Sequence, residues 1–286
     1  MYGAVKGRLE DQDARKIIAQ HLVKDYILKE KIKEKSGLFG RKQKRVIHAV
    51  KDISLEIPQE KIIGVLGING AGKTTTIRML ASIIAPTSGS LTMNGVDAVK
   101  NHLWIKERIN VISGGERNLY WRLTAKENLR YFGSLYGLSG DDLNKRIAYL
   151  LRTVGLEEAA NVPVERYSKG MKQRLQIARG LINDPIYLFM DEPTLGLDIV
   201  IAKEIRNLVS DLAHKEGRGI LLTTHYISEA EELCDYIYIL DKGRIIAEGT
   251  KEQLKGLLAY EPKVVTSVQE PSLEEALIEI INRCNS

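Results

Sequence analysis

The chain has 286 residues, 44% of them hydrophobic and 28% charged, with a formal net charge of +5. That composition excludes a disordered or collagen-like chain, and the length admits one large α/β domain with insertions or two small ones. Its two cysteines, Cys234 and Cys284, lie far apart without metal-ligand spacing, so a disulfide framework is excluded and a reducing compartment is expected.

The first sixteen residues, MYGAVKGRLEDQDARK, lack the apolar stretch of a secretory signal. Ile17–Tyr26 reads as an edge strand leading into a basic insertion over residues 29–45, KEKIKEKSGLFGRKQKR. A charge run of this kind reads as a solvated surface insertion, and it also suits acidic lipid headgroups or nucleic acid. Val46–Ile57 alternates as a half-buried strand does. KIIGVLG is then a buried strand, TTTIRMLASI a helix, PTSG a stop and SLTMNG a short strand. From His102 to Glu165 the pattern is mostly helical, with stops at Gly133, Gly137, Gly140 and Gly155.

The α/β alternation resumes with the helix MKQRLQIARGLI, the strand IYLFMD, a helix over Ile201–His214, the strand GILLTTH, a helix over Ser228–Leu233 and the hairpin YIYILDKGRIIAEG. A weaker helical tail follows Thr250. Such alternation predicts a mainly parallel sheet covered on both faces. The longest apolar runs, such as Ile62–Leu66, Ile186–Met190 and Tyr236–Leu240, suit buried strands and fall short of the ~18–20 residues that cross a bilayer. Any membrane role therefore needs another chain.

Three stretches carry chemistry. Gly67-Ile68-Asn69-Gly70-Ala71-Gly72-Lys73-Thr74 is a complete phosphate-binding loop. Its glycines let backbone N–H groups turn inward around phosphate oxygens, and the helix that continues through Thr75 adds its positive end. Lys73 is expected at the β- and γ-phosphates and the Thr74 hydroxyl on Mg²⁺. Asp191 and Glu192 are delivered at the C-terminal end of an apolar strand, where ligands bind in open α/β sheets. There Asp191 suits Mg²⁺ and Glu192 suits accepting the proton of an attacking water. Third, Tyr167-Ser168-Lys169-Gly170-Met171-Lys172-Gln173-Arg174 opens a helix with Ser168 as N-cap. Simple capping and binding of a γ-phosphate by hydroxyl and N–H groups are both open.

Together the phosphate loop, YSKGMKQR, FMDEP, TLGLD and LLTTH resemble, in order and spacing, the ATPases of the ATP-binding-cassette (ABC) family, over roughly residues 17–250. The resemblance implies a P-loop NTPase core of ABC type with an antiparallel β subdomain and an inserted helical subdomain. The expected division is 1–101 for the N-terminal core, 102–166 for the helical subdomain, continuing into the signature helix 168–182, 167–250 for the rest of the core and 251–286 for a C-terminal extension. Ser168 and Gly170 match the signature motif that faces the ATP of a second subunit, Asp198 the D-loop aspartate, and His225 the switch histidine at the γ-phosphate. An aromatic that stacks on adenine is expected near the end of the first strand, where Tyr26 matches best; a plain packing tyrosine is the alternative.

Departures from the family pattern are Lys169 and Met171 in place of glycine and glutamine. A third is Gly115, with Glu116 beside it, where a glutamine usually bridges Mg²⁺ and the membrane subunit. What the resemblance implies is an ATP- and Mg²⁺-dependent ATPase. It would work as a homodimer with separate integral-membrane subunits at the cytoplasmic face of the cell membrane. It looks similar to exporters of drugs, antibiotics or cell-envelope glycans. A soluble relative acting on ribosomes or nucleic acid is the rival; such proteins usually carry two cassettes or a long coiled coil, so no nucleic-acid partner is expected.

Overall fold

The computed structural model describes residues 15–31, 42–113 and 119–256. Ten strands form one sheet: β1 (Lys16–Lys31), β2 (Lys42–Pro58), β3 (Ile62–Leu66), β4 (Ser88–Met93), β5 (Val96–Asp97), β6 (Ile109–Ser113), β7 (Tyr187–Asp191), β8 (Gly219–Thr224), β9 (Tyr236–Asp241) and β10 (Arg244–Gly249), in the order β5-β4-β1-β2-β10-β9-β3-β8-β7-β6. The pairs β3–β9, β3–β8, β8–β7 and β7–β6 are parallel, whereas β1, β2, β4 and β5 pair antiparallel. The expected α/β core with an antiparallel β part is therefore present.

The central strands are buried because both faces are covered. Side chains alternate across a strand, so neighbours in sequence enter different cores. Ile62, Leu188, Met190, Ile220 and Leu222 pack with α5 (Lys169–Gly180), α6 (Ile199–His214) and the helices α3 (Ala125–Leu135) and α4 (Gly140–Thr153). Ile63, Val65, Tyr187, Phe189 and Leu221 pack on the other side with α1 (Lys73–Leu80), α2 (His102–Arg108) and the buried faces of β1 and β2. Two short helices, α7 (Ile227–Leu233) and α8 (Lys251–Gly256), complete the described chain. A reciprocal capping box between Thr124 and Glu127 starts α3, satisfying two otherwise orphaned N–H groups.

Three expectations are corrected. The first strand is no edge strand: β1 lies between β2 and β4, because the β4–β5 hairpin adds to its outer side. It also runs past Tyr26, so the described flanks of the basic insertion pair across the β1–β2 ladder, with Leu28 opposite Arg45. The stretch after His102 is not helical throughout. Ile109–Ser113 forms β6, parallel to β7 at the opposite edge of the sheet. From Ala125 the described chain becomes a run of helices. No helix among the described residues is long and apolar enough to cross a membrane.

Candidate active site

The ends of β3, β7 and β8 lie side by side, and the phosphate loop, the Asp191-Glu192 pair and His225 leave the sheet there. Gly67 N–H donates to Thr224 O at 3.3 Å, joining the loop after β3 to the end of β8. The loop needs its glycines. Gly70 and Gly72 have φ of +83° and +108°, and a Cβ on Gly72 would lie 2.8 Å from Ala49 O. A Cβ on Gly67 would lie 2.5 Å from Leu240 O. The β9–β10 turn supports the loop from below. Lys242 and Gly243 both take left-handed backbone, as a tight hairpin requires. Gly243 N–H then donates to Ala71 O at 2.9 Å, and Lys51 N–H donates to Gly243 O at 2.8 Å.

Lys73 opens α1 and is 6% exposed. Its Nζ donates to Gly67 O at 2.6 Å and lies 3.5 Å from Glu192 Oε1. A buried ammonium needs such partners. Thr74 Oγ1 donates to Asp191 Oδ2 at 2.9 Å. Asp191 Oδ1 accepts from Thr223 Oγ1 at 2.5 Å, and Thr223 is wholly buried. Glu192 follows with φ +52°, strained for a residue with a Cβ by about 1–2 kcal/mol. Its N–H is held by Thr223 O at 3.0 Å. His225 Nδ1 lies 3.3 Å from Glu192 Oε1, within ion-pair range, yet makes no hydrogen bond. The His225 and Tyr226 rings are 4.1 Å apart.

A cleft of about 370 Å³ opens over these groups, lined by Asn69, Gly70, Lys73, Thr74, Thr75 and Glu192 from the phosphate loop and β7. Its far wall is Ile47, His48, Ala49 and Lys51 of β2, with Lys242 from the hairpin. Three lysines around a glycine-rich cradle suit a polyphosphate. The hard oxygens of Thr74 and Asp191 suit Mg²⁺, which is held by one or two carboxylates together with phosphates and water.

The other expected residues lie outside this cleft. Tyr26 pairs with Ile47 across the β1–β2 ladder, and Lys24 Nζ sits 5.6 Å from its ring centre. Ile47 and His48 of the facing strand line the cleft instead. His48 is fixed by Asp25, whose Oδ1 is 2.8 Å from its Nδ1. Ser168 is the N-cap of α5, accepting from Met171 N–H at 3.2 Å, so capping is observed. Gly170 is buried against α6, and a Cβ there would lie 2.6 Å from Ile201 Cγ2. Lys169 Nζ donates to Gly196 O at 2.8 Å, tying the start of α5 to the TLGLD turn. Asp198 caps α6 by accepting from Ile201 N–H at 2.9 Å. Gly115 and Glu116 lie outside the described residues.

A profile of the family described as "ABC transporter" matches residues 50–195, which span the phosphate loop, Ser168, Asp191 and Glu192. The chain belongs to the ABC transporter family. It binds ATP, and ATP hydrolysis is its reaction. Among its relatives is the ABC transporter ATP-binding protein NatA of Bacillus subtilis, 44% identical over 212 residues that cover 74% of this chain and 86% of that protein. The linearmycin resistance ATP-binding protein LnrL of Bacillus subtilis is 41% identical, covering 72% of this chain and 65% of its own. The daunorubicin/doxorubicin resistance ATP-binding protein DrrA of Streptomyces peucetius is 40% identical, with shares of 73% and 63%. Among solved ABC structures, cbiO1 of Clostridium perfringens, part of the transporter complex cbiONQ, aligns with a TM-score of 0.72 and 25% identity, covering 84% of this chain and 90% of its own. The cassette MJ0796, in a dimeric post-hydrolysis state bound to ADP and Pi, aligns with a TM-score of 0.68 and 26% identity over 82% and 98%.

Proposed function

We propose that this ABC ATPase powers export of a substrate through separate integral-membrane subunits, and that it does so as a homodimer at the cytoplasmic face of the cell membrane. The observation that carries the chemical part is the convergence of Lys73, Thr74, Asp191, Glu192 and His225 at the ends of three adjacent strands. In this reading Lys73 and the loop N–H groups hold the phosphates, while Thr74 and Asp191 hold Mg²⁺. Bound there, Mg²⁺ supplies charge to offset the negative charge that builds on the phosphates. Glu192 Oε1 accepts the proton of the attacking water, and His225, beside the same oxygen, orients the group being attacked. Burial of Lys73 keeps its charge in a medium where it acts strongly.

Ser168, Gly170 and Asp198 lie on α5 and α6, outside the cleft, and each occurs once. Two copies meeting head to tail would bring Ser168 and Gly170 of one to the nucleotide of the other. A dimeric cassette of similar fold supports this arrangement. Export is supported by relatives named for resistance to drugs and for Nod factor export.

An exposed aromatic surface supports the membrane partner. Tyr120 and Trp121 are each 47% exposed before α3, and Tyr131, Leu135 and Tyr136 continue the surface along it. Tyr120 and Tyr131 pack edge to face at 4.9 Å, and Asn128 fixes the approach by bonding both N–H and C=O of Tyr120. An apolar, rigid surface of this kind fits a helix of a membrane subunit. The region Gly115–Trp121, of which only Leu119 onward is described, is expected to dock that helix.

The test is Glu192→Gln, which keeps shape and removes the base. Turnover is expected to fall by about 10²–10⁴ with ATP binding kept, and ATP with Mg²⁺ should trap a closed dimer. Near-normal hydrolysis would overturn the assignment.

A further inference from the structure

Behind the groups assigned above stands a buried polar pair. Thr194 and Glu229 are 6% and 3% exposed, and the Thr194 hydroxyl donates to Glu229 Oε1 at 2.7 Å. Glu229 Oε2 is enclosed too and has no hydrogen-bond partner among the described residues. A carboxylate with one oxygen left unmet costs stability. Two apolar side chains would fill the same space without that cost, so packing alone does not account for the pair.

The connectivity does. Thr194 follows Glu192 by two residues, and Glu229 follows His225 by four. Glu192 and His225 already approach to 3.3 Å, so the Thr194–Glu229 bond closes a ring around them. Glu192 takes left-handed backbone, a conformation that persists only where the surroundings over-determine it. Thr223 holds it from the β8 side. On the other side the chain turns at once: Leu195 N–H donates to Glu192 O at 3.2 Å, and Leu197 N–H donates to Thr194 O at 3.1 Å. The Thr194 side chain fastens that turn to α7. Glu229 lies in the first turn of α7, which begins without a side-chain cap, and the Thr194 hydroxyl bonds it there.

We infer that Thr194 and Glu229 are positioning residues for hydrolysis, their buried bond holding the Glu192 carboxylate and the His225 ring in register. The inference rests on the roles proposed above for Glu192 and His225. Its test compares Mg²⁺-ATP turnover, KM for ATP and thermal stability in the full chain for Thr194→Val, Thr194→Ser and the double variant Thr194→Val/Glu229→Leu, with Glu192→Gln alongside. Thr194→Val should lower kcat by about 10²-fold, the effect of a misplacement near 1 Å, and leave KM unchanged. Thr194→Ser should restore most of the turnover. The double variant removes the unmet carboxylate, so it should regain stability, since replacing both partners by apolar groups can be neutral. It should not regain turnover, which a merely structural pair would allow. Wild-type turnover in the double variant, or a raised KM at unchanged kcat, overturns the inference. An inactive Glu192→Gln beside a fully active Thr194→Val refutes this inference alone. A fully active Glu192→Gln instead removes the base assignment, and this inference with it.

Discussion

Thr223→Val removes one hydroxyl at the centre of the site. Valine has nearly the volume of threonine, and Thr223 is wholly buried, so neither cavity nor overpacking arises. What is lost is the donor to Asp191 Oδ1 at 2.5 Å, together with a longer bond in which the hydroxyl accepts from Glu192 N–H at 3.2 Å. The Glu192 N–H keeps its bond to Thr223 O at 3.0 Å, so no donor is orphaned. A hydrogen bond to a charged group contributes roughly 1.5–3 kcal/mol. Asp191 is only partly buried and regains water, which places the expected loss near the low end, about 1.5 kcal/mol. For a chain of this size that lowers Tm by about 3–6 °C. If the same energy is expressed in holding Asp191 toward Mg²⁺, the Mg²⁺ concentration for half-maximal turnover rises roughly tenfold. Thermal melts and Mg²⁺ titrations of ATPase activity read both, with Thr223→Ser as the control that keeps the hydroxyl. Wild-type Tm together with wild-type Mg²⁺ dependence in Thr223→Val would refute the idea that Thr223 holds Asp191.

Gly72→Ala should abolish ATP binding measured by calorimetry, because a Cβ there meets Ala49 O at 2.8 Å at a φ of +108°; retained affinity would show that the loop can move aside. Gly170→Ala should cost about 1–3 kcal/mol in urea unfolding from its contact with Ile201, and Ile201→Ala should relieve it, giving a double variant less destabilised than the sum of the singles. Asp235 gives a pH test. Burial pushes its carboxyl up, but the Ile62 N–H, the His214 ring and the Lys61 ammonium outweigh that and hold it below the usual carboxylate range. A depressed folded pKa contributes stability above the unfolded value and loses it as the pH falls through the folded value. Asp235→Asn should therefore be less stable than wild type at neutral pH, with the difference shrinking on acidification; a difference that grows in acid would contradict the sign.

The phosphate loop and Asp191-Glu192 were legible because a local pattern of residue types specifies their chemistry. Glycine, lysine and threonine at fixed spacing build the cradle by themselves, and an apolar run places the carboxylates at its end. Thr223 was not legible as a site residue. It is one of two threonines in LLTTH, and only the β7–β8 register brings it opposite Asp191. The wall of the cleft depends likewise on long-range pairing. Tyr26 matched a pattern, and only the β1–β2 ladder sets it opposite Ile47, which lines the cleft with His48. The strand β6 escaped notice because five residues between α2 and a long helical region carry too little periodicity to stand out. The position of β1 inside the sheet depends on where the β4–β5 hairpin docks, which no local signal records. Lys169 stood out as a departure from the signature, but its partner, Gly196 O, appears only once the TLGLD turn is folded.

The most direct measurement of the shared site uses a mixed dimer of Lys73→Ala and Ser168→Arg chains, purified through two different tags. Each variant alone should be nearly inactive, the first through loss of phosphate charge stabilisation and the second through a bulky cation where a small hydroxyl meets phosphate. In the mixed dimer both defects fall on one nucleotide site, and the other combines an intact Lys73 with an intact Ser168. Hydrolysis clearly above both parents is expected if each ATP is completed by two copies of the chain. Activity no higher than either parent, with no ATP-dependent crosslink between cysteines placed at Gly70 of one copy and Ser168 of the other, would contradict the shared site.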